Sequence, residues 1–93
     1  MNNYRNTQQI MADVLVVISD SDRGGIGVTK LCSKSNLSHG RLKKLVSRLT
    51  SSGLTNTIEY DGKNTFVLTE KGKLYLDEYK RFSDFAESFG VEM

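Results

Sequence analysis

Between Ser38 and Gly53 the chain reads SHGRLKKLVSRLTSSG, which places Leu42, Leu45, Val46 and Leu49 at i, i+3, i+4 and i+7. That spacing is one face of a helix. Ser38 supplies an N-cap hydroxyl for an amide that the first turn leaves unpaired. Gly53 suits the left-handed position just past the last turn. The pattern predicts a helix from Ser38 to about Ser52 with a single apolar side, and a chain of 93 residues has room for one modest core to set against it. A two-domain enzyme is ruled out. At 100° per residue the opposite face carries Gly40, Lys44 and Ser47, flanked by Arg41, Lys43 and Arg48.

The same stretch dominates the charge distribution. The formal net charge is only +2. Residues 23–58 nevertheless hold Arg23, Lys30, Lys34, Arg41, Lys43, Lys44 and Arg48 with no Asp or Glu, while both flanks are net acidic. Positive charge gathered in one segment argues for a polyanionic partner.

Upstream, Thr7 to Ser19 has helical apolar spacing through Ile10, Met11, Val14, Leu15, Val17 and Ile18. Its β-branched run also suits a buried strand, but Asn6 and Gln9 form the polar half of a capping box, and a helix is predicted. Asp20 to Gly27 reads as a loop. Its glycines do not make a phosphate-binding loop, because Thr29 precedes Lys30 and no Gly adjoins that Lys. A short helix from Thr29 to about Lys34 turns Leu31 and Cys32 inward, and Ser35-Asn36-Leu37 makes the turn, with Leu37 in the core. Past Gly53 the period changes. Leu54, Ile58, Tyr60, Phe66 and Leu68 fit two short strands joined at Asp61-Gly62, with Tyr60 on the packed face. Thr69 caps a last helix, with Glu70 in its first turn, that runs to about Phe89, roughly 30 Å at 1.5 Å per residue.

Several classes of function are disfavoured. The longest apolar run, Val14 to Ile18, is far short of the roughly 18 residues a membrane span requires. The N-terminus lacks the basic-then-apolar order of a secretory signal, and the single cysteine, Cys32, cannot form an internal disulfide. A cytoplasmic protein without metal or cofactor is expected, with Cys32 a small core residue. One His and one Cys, with no convergent carboxylates, assemble neither a metal set nor a nucleophile-base pair, so no enzyme is expected.

The order of helix, short helix, turn, capped basic helix, hairpin and helix describes a mostly α, α+β winged helix-turn-helix. Gly53-Leu54 ending the basic helix, the hairpin, and Leu68-Thr69-Glu70-Lys71-Gly72 entering a long aromatic helix resemble the small archaeal winged-helix DNA-binding proteins. Tyr4-Arg5-Asn6 and Asn36-Leu37-Ser38 are similar to that family too. The resemblance implies a recognition helix over Ser38–Ser47, a wing tip near Asp61 to Asn64, and dimerisation through a C-terminal antiparallel coiled coil. This chain departs from the pattern in its glycine-rich loop and in a wing tip with Lys63 beside Asp61.

The residues make a parallel case for double-stranded DNA. A capped helix of about fourteen residues fits the major groove. Arg41, Lys43, Lys44 and Arg48 reach guanine edges or phosphates, Ser47 reaches either, and Gly40 permits close approach. Thr29, Ser35, Asn36 and Ser38 suit phosphate oxygens, as does His39 incidentally, with Lys63 reaching from the hairpin. The competing reading of these cations is a solubilising helix face. If each protomer pairs about four phosphates, a dimer shows a log-log salt slope near about −7.

In the last helix Tyr75, Tyr79, Phe82, Ala86 and Phe89 follow 4-3-4-3 spacing, with Leu76 and Phe85 alongside. The first of these, with Leu74, complete the core. The remainder outrun it, and leaving Tyr79, Phe82, Phe85 and Phe89 wet would forgo about 1.5–3 kcal/mol each. A second copy is the expected partner, through Tyr75, Tyr79, Phe82, Phe85, Ala86 and Phe89. Residues 1–70 then form the DNA-binding domain and 71–93 the dimerisation helix, in a transcriptional regulator or a small chromatin-associated protein. The alternative is a winged-helix module that binds protein rather than DNA.

Overall fold

A computed structural model describes residues 6–88 and Gly90. Its elements are α1 (Thr7–Ser19), α2 (Val28–Ser35), α3 (His39–Ser51), β1 (Thr55–Tyr60), β2 (Lys63–Leu68) and α4 (Glu70–Ser88). The expected order and class are therefore observed. Tyr4, Arg5 and Phe89 lie outside the described residues.

The cap decides between helix and strand for α1. Asn6 Oδ1 accepts from the Gln9 amide at 2.7 Å, and Gln9 Oε1 accepts from the Asn6 amide at 3.0 Å. This reciprocal pair satisfies two donors at once. Ile10, Val14, Leu15 and Ile18 are then buried together. α2 runs one residue further at each end than its sequence suggests. It stops at Asn36, whose left-handed backbone (φ 58°, ψ 46°) an asparagine tolerates well. Leu37 drops into the core immediately after.

In α3 the Ser38 hydroxyl accepts from the Arg41 amide at 3.3 Å, and Leu42, Leu45, Val46 and Leu49 are all buried. Gly53 follows at φ +81°. β1 and β2 pair antiparallel in the register Thr55↔Leu68 to Tyr60↔Lys63, closed by Asp61 (φ 56°) and Gly62 (φ 78°). Two successive positive φ values give the tight turn whose twist matches the strands.

The glycine-rich segment is not simply a loop. Ile26 forms an antiparallel bridge with Phe66, its amide donating to the Phe66 carbonyl at 3.1 Å and its carbonyl accepting from the Phe66 amide at 2.9 Å. β2 therefore lies between β1 and Ile26. Close approach needs glycine at Gly25, where φ is +79° and a β-carbon would stand 2.6 Å from the Phe66 carbonyl oxygen. The Thr65 hydroxyl donates to the Gly24 carbonyl, and the Tyr60 ring lies over Gly24. Tyr60 is thus not in the hairpin's packed face; it is 56% exposed and rests on the loop by one side of its ring.

Thr69 ties α4 to the end of α3. Its hydroxyl accepts from the Gly72 amide at 2.9 Å and donates to the Gly53 carbonyl at 2.6 Å, while Lys71 Nζ donates to the Ser52 carbonyl at 2.9 Å. Leu76 enters the core, with Tyr75 partly buried against it, but Leu74 points outward and is 62% exposed. α1 and α4 pack against one another. At that seam the Tyr79 phenol is pushed above its usual range, chiefly by burial and then by the charges of Asp13 and Tyr75.

Candidate nucleic-acid interface

Burial of one side of α3 dictates where its polar residues go. With Leu42, Leu45, Val46 and Leu49 inward, 100° per residue puts Gly40, Ser47 and Ser51 on the crest. His39 and Lys43 lie toward one flank, and Arg41 and Arg48 toward the other, with Lys44 between that flank and the crest. His39, Gly40, Arg41, Lys43, Lys44, Ser47 and Arg48 are all exposed. Short residues thus form the ridge of the helix and long cations its shoulders. Arg41, Lys44 and Arg48 meet around a cleft of about 160 Å³, completed by Leu45 and by Thr7 and Ile10 from the first turns of α1.

The cations of α3 hold no carboxylate partner among the described residues; the ion pair Arg81–Glu78, at 3.4 Å, is on α4. Their field is directed into solvent. α2 is different. Thr29, Lys30 and Lys34 are exposed, but Lys30 and Lys34 line a cleft of about 280 Å³ with Asp20 and Asp22, which offset their charge. Asn36 and Ser38 are exposed at the connection between the helices. Lys63 is exposed at the hairpin end beside exposed Glu59 and Asp61, so that end is not a cationic surface.

Ser35 departs from the expectation of a phosphate contact. Because α2 includes this residue, its side chain turns inward, is 4% exposed, and donates its hydroxyl hydrogen to the Leu31 carbonyl. It is a core residue. Cys32 is free and partly buried against the core. Among the described residues no group of three His, Cys, Asp or Glu side chains could hold a metal ion, and no helix is long and apolar enough to cross a membrane.

On α4 the aromatic stripe divides. Tyr75 and Tyr79 are partly buried within this chain, whereas Phe82 and Phe85 are 58% and 60% exposed. Ala86, expected against a second subunit, is instead 4% exposed within this chain, because it lies on the same helical face as Gly72 and Leu76. Leu74 was missed as a member of the outward face. The signal was its spacing: it precedes Phe85 by eleven residues, about three turns. Thr7 and Ile10 beside the α3 cations were also missed, since no local pattern announces a contact between distant turns.

A winged helix-turn-helix family model matches residues 4–87. The chain belongs to the winged helix-turn-helix family. Within it, α2 and α3 with their connection are the helix-turn-helix, and β1 with β2 is the wing. Solved structures agree on the fold. Sso10a-2, a DNA-binding protein from Sulfolobus solfataricus, superposes with a TM-score of 0.71 at 22% identity, over 92% of this chain and 90% of that one. SSV1 F-93 gives a TM-score of 0.68 at 23% identity, over 95% and 97% of the two chains. A MarR family protein from Bacillus stearothermophilus gives 0.68 at 25% identity, over 92% of this chain and 61% of that one. No curated protein sequence matches.

Proposed function

We propose that this winged helix-turn-helix chain binds double-stranded DNA as a homodimer, as a transcriptional regulator or a small chromatin-associated protein. The observation that carries the reading is the outward side of α3, where exposed Arg41, Lys43, Lys44 and Arg48 stand on both shoulders of a ridge of small residues. Such a helix enters the major groove with its ridge toward the base edges and its shoulders toward the two backbones. Exposed Thr29, Asn36, Ser38 and His39 add phosphate contacts, and Lys63 reaches from the wing. The name of one winged-helix neighbour, Sso10a-2, a DNA-binding protein, supports the same reading. Replacing Arg41 and Lys44 together by Ala weakens duplex binding at least about tenfold, the loss of about 1.4 kcal/mol, and leaves the circular dichroism spectrum unchanged. Unchanged affinity rejects the assignment.

The dimer rests on Leu74, Phe82 and Phe85, each more than half exposed along one helix. Covering the exposed part of three such side chains is worth about 1–2 kcal/mol apiece, enough to favour a partner helix. Residues 1–70 carry the DNA contacts, and residues 71–93 join the subunits after the first turns of α4 have closed the core. Pairing fixes the spacing of the two α3 helices and hence of two half-sites. Phe82→Glu converts the dimer to a monomer in light scattering at micromolar concentration. A parent protein that is already monomeric contradicts the dimer and points to a different chain on α4.

A further inference from the structure

The outward stripe of α4 is apolar but not wholly so. At 100° per residue, Arg81, Leu74, Phe85, Glu78 and Phe82 follow one another across a sector of about 100°. Leu74, Phe82 and Phe85 are its exposed apolar members, and Glu78 and Arg81 its charged ones. The two charges pair within the chain at 3.4 Å, yet their side chains are 68% and 76% exposed. An ion pair so open to water holds weakly, and both partners can turn to a better one.

The stripe has a symmetry along the helix. Leu74 and Phe85 are equidistant from the point midway between Tyr79 and Lys80, about 8 Å to either side. Glu78 and Arg81 are equidistant from the same point, about 2 Å to either side. A second copy laid on the stripe in the opposite direction, its midpoint at the same level, sets Leu74 against Phe85 of that copy. It also sets Glu78 against that copy's Arg81, and the two-fold axis makes each pair twice. Laid in the same direction, the copy sets Glu78 against Glu78 and Arg81 against Arg81. Like charges so placed in a partly dry interface repel. We propose that Glu78 and Arg81 give up their own-chain pairing for reciprocal pairs across a second copy of this chain, and so select both the direction and the identity of that copy. Apolar cover from Leu74, Phe82 and Phe85 supplies the strength of the contact. The charges supply the choice, because a chain with a similar apolar stripe and a different charge order meets repulsion. This selection rests on the homodimer reading and not on the DNA reading.

Light scattering and native mass spectrometry of the full-length protein test the selection, with circular dichroism confirming that each variant is folded. Glu78→Arg and Arg81→Glu each put like charges face to face. Each alone is expected to dimerise at least about tenfold more weakly than the parent, and an equimolar mixture of the two to regain the dimer. The double variant, Glu78→Arg with Arg81→Glu, again sets opposite charges together in antiparallel pairing and dimerises with itself as the parent does. Against isotope-labelled parent it meets only like charges. Mixed dimers then fall at least about tenfold below their statistical share, and the deficit shrinks as added salt screens the charges. A monomeric parent rejects the homodimer reading and this selection with it. A dimeric parent that mixes statistically with the double variant leaves the homodimer standing and overturns the selection. Mixed dimers in excess of the statistical share place the copies in the same direction, which also overturns it.

Discussion

Gly72, in the first turn of α4, presses against the backbone of Leu54: a β-carbon there would stand 2.2 Å from the Leu54 carbonyl oxygen. That oxygen also accepts the Thr69 amide at 3.1 Å, so neither partner can retreat without breaking the junction between α3 and α4. Gly72→Ala improves intrinsic helix propensity by about 1 kcal/mol, yet the overpacking cost, about 3 kcal/mol because the obstructing atom is backbone, prevails. Urea denaturation is expected to show a net loss of stability of at least about 1 kcal/mol. A neutral or stabilised variant would mean that the close approach is not maintained in solution.

The neighbouring glycines of the 24–27 segment separate two kinds of close contact. At Gly25 a β-carbon meets the Phe66 carbonyl oxygen at 2.6 Å with φ at +79°, so Gly25→Ala is strained in conformation and blocked by backbone. At Gly24 it meets the Tyr60 ring at 2.5 Å, but Tyr60 is 56% exposed and has room to swing away. Gly25→Ala therefore costs about 2 kcal/mol or more, and Gly24→Ala less than about 1 kcal/mol while displacing the Tyr60 ring resonances. Thermal unfolding with NMR of both variants checks the order.

Ser35→Ala tests the inward turn of that side chain. Its hydroxyl is satisfied by the Leu31 carbonyl, and the loss on removal is that of an ordinary hydrogen bond, about 0.5–1.5 kcal/mol, offset in part by the better helix propensity of Ala. Duplex affinity stays the same. A weakened complex with an unperturbed fold would restore Ser35 to the interface.

How much could be read from the sequence follows from how local each signal is. α3 was readable because its cap, apolar period and glycine stop all fall within one stretch, and the hairpin because Asp61-Gly62 sits between alternating residues. The Ile26–Phe66 bridge was not, since one paired residue has no period and its partner is forty positions away. Ser35 and Ala86 were misplaced for the same geometric reason. Extending α2 by one residue rotates Ser35 inward, and choosing the aromatic line rather than the Gly72–Leu76–Ala86 line as the seam of α4 puts Ala86 on the wrong side. The α3 cations were visible as composition, whereas their convergence with Thr7 and Ile10 exists only after the helices pack.

Tyr79 offers a pH-dependent check of the α1–α4 seam. Its phenol lies above the ordinary value of 10.0, from burial first and then from Asp13 and Tyr75. A folded-state value above the unfolded one means that this contribution to stability is whole below pH 10 and is lost as the pH climbs past the folded value. Asp13→Asn removes one negative charge and moves the Tyr79 titration down toward the ordinary value, as read by ultraviolet titration of the phenols. An unmoved titration would place Asp13 away from Tyr79.

Duplex affinity measured against salt concentration addresses the role of α3 directly. With about four phosphates neutralised per protomer, a log-log slope of about −7 is predicted for the dimer, flattening measurably in the Arg41→Ala, Lys44→Ala protein. No complex at low salt, or a slope near zero that the double substitution does not change, would contradict a cationic α3 facing DNA.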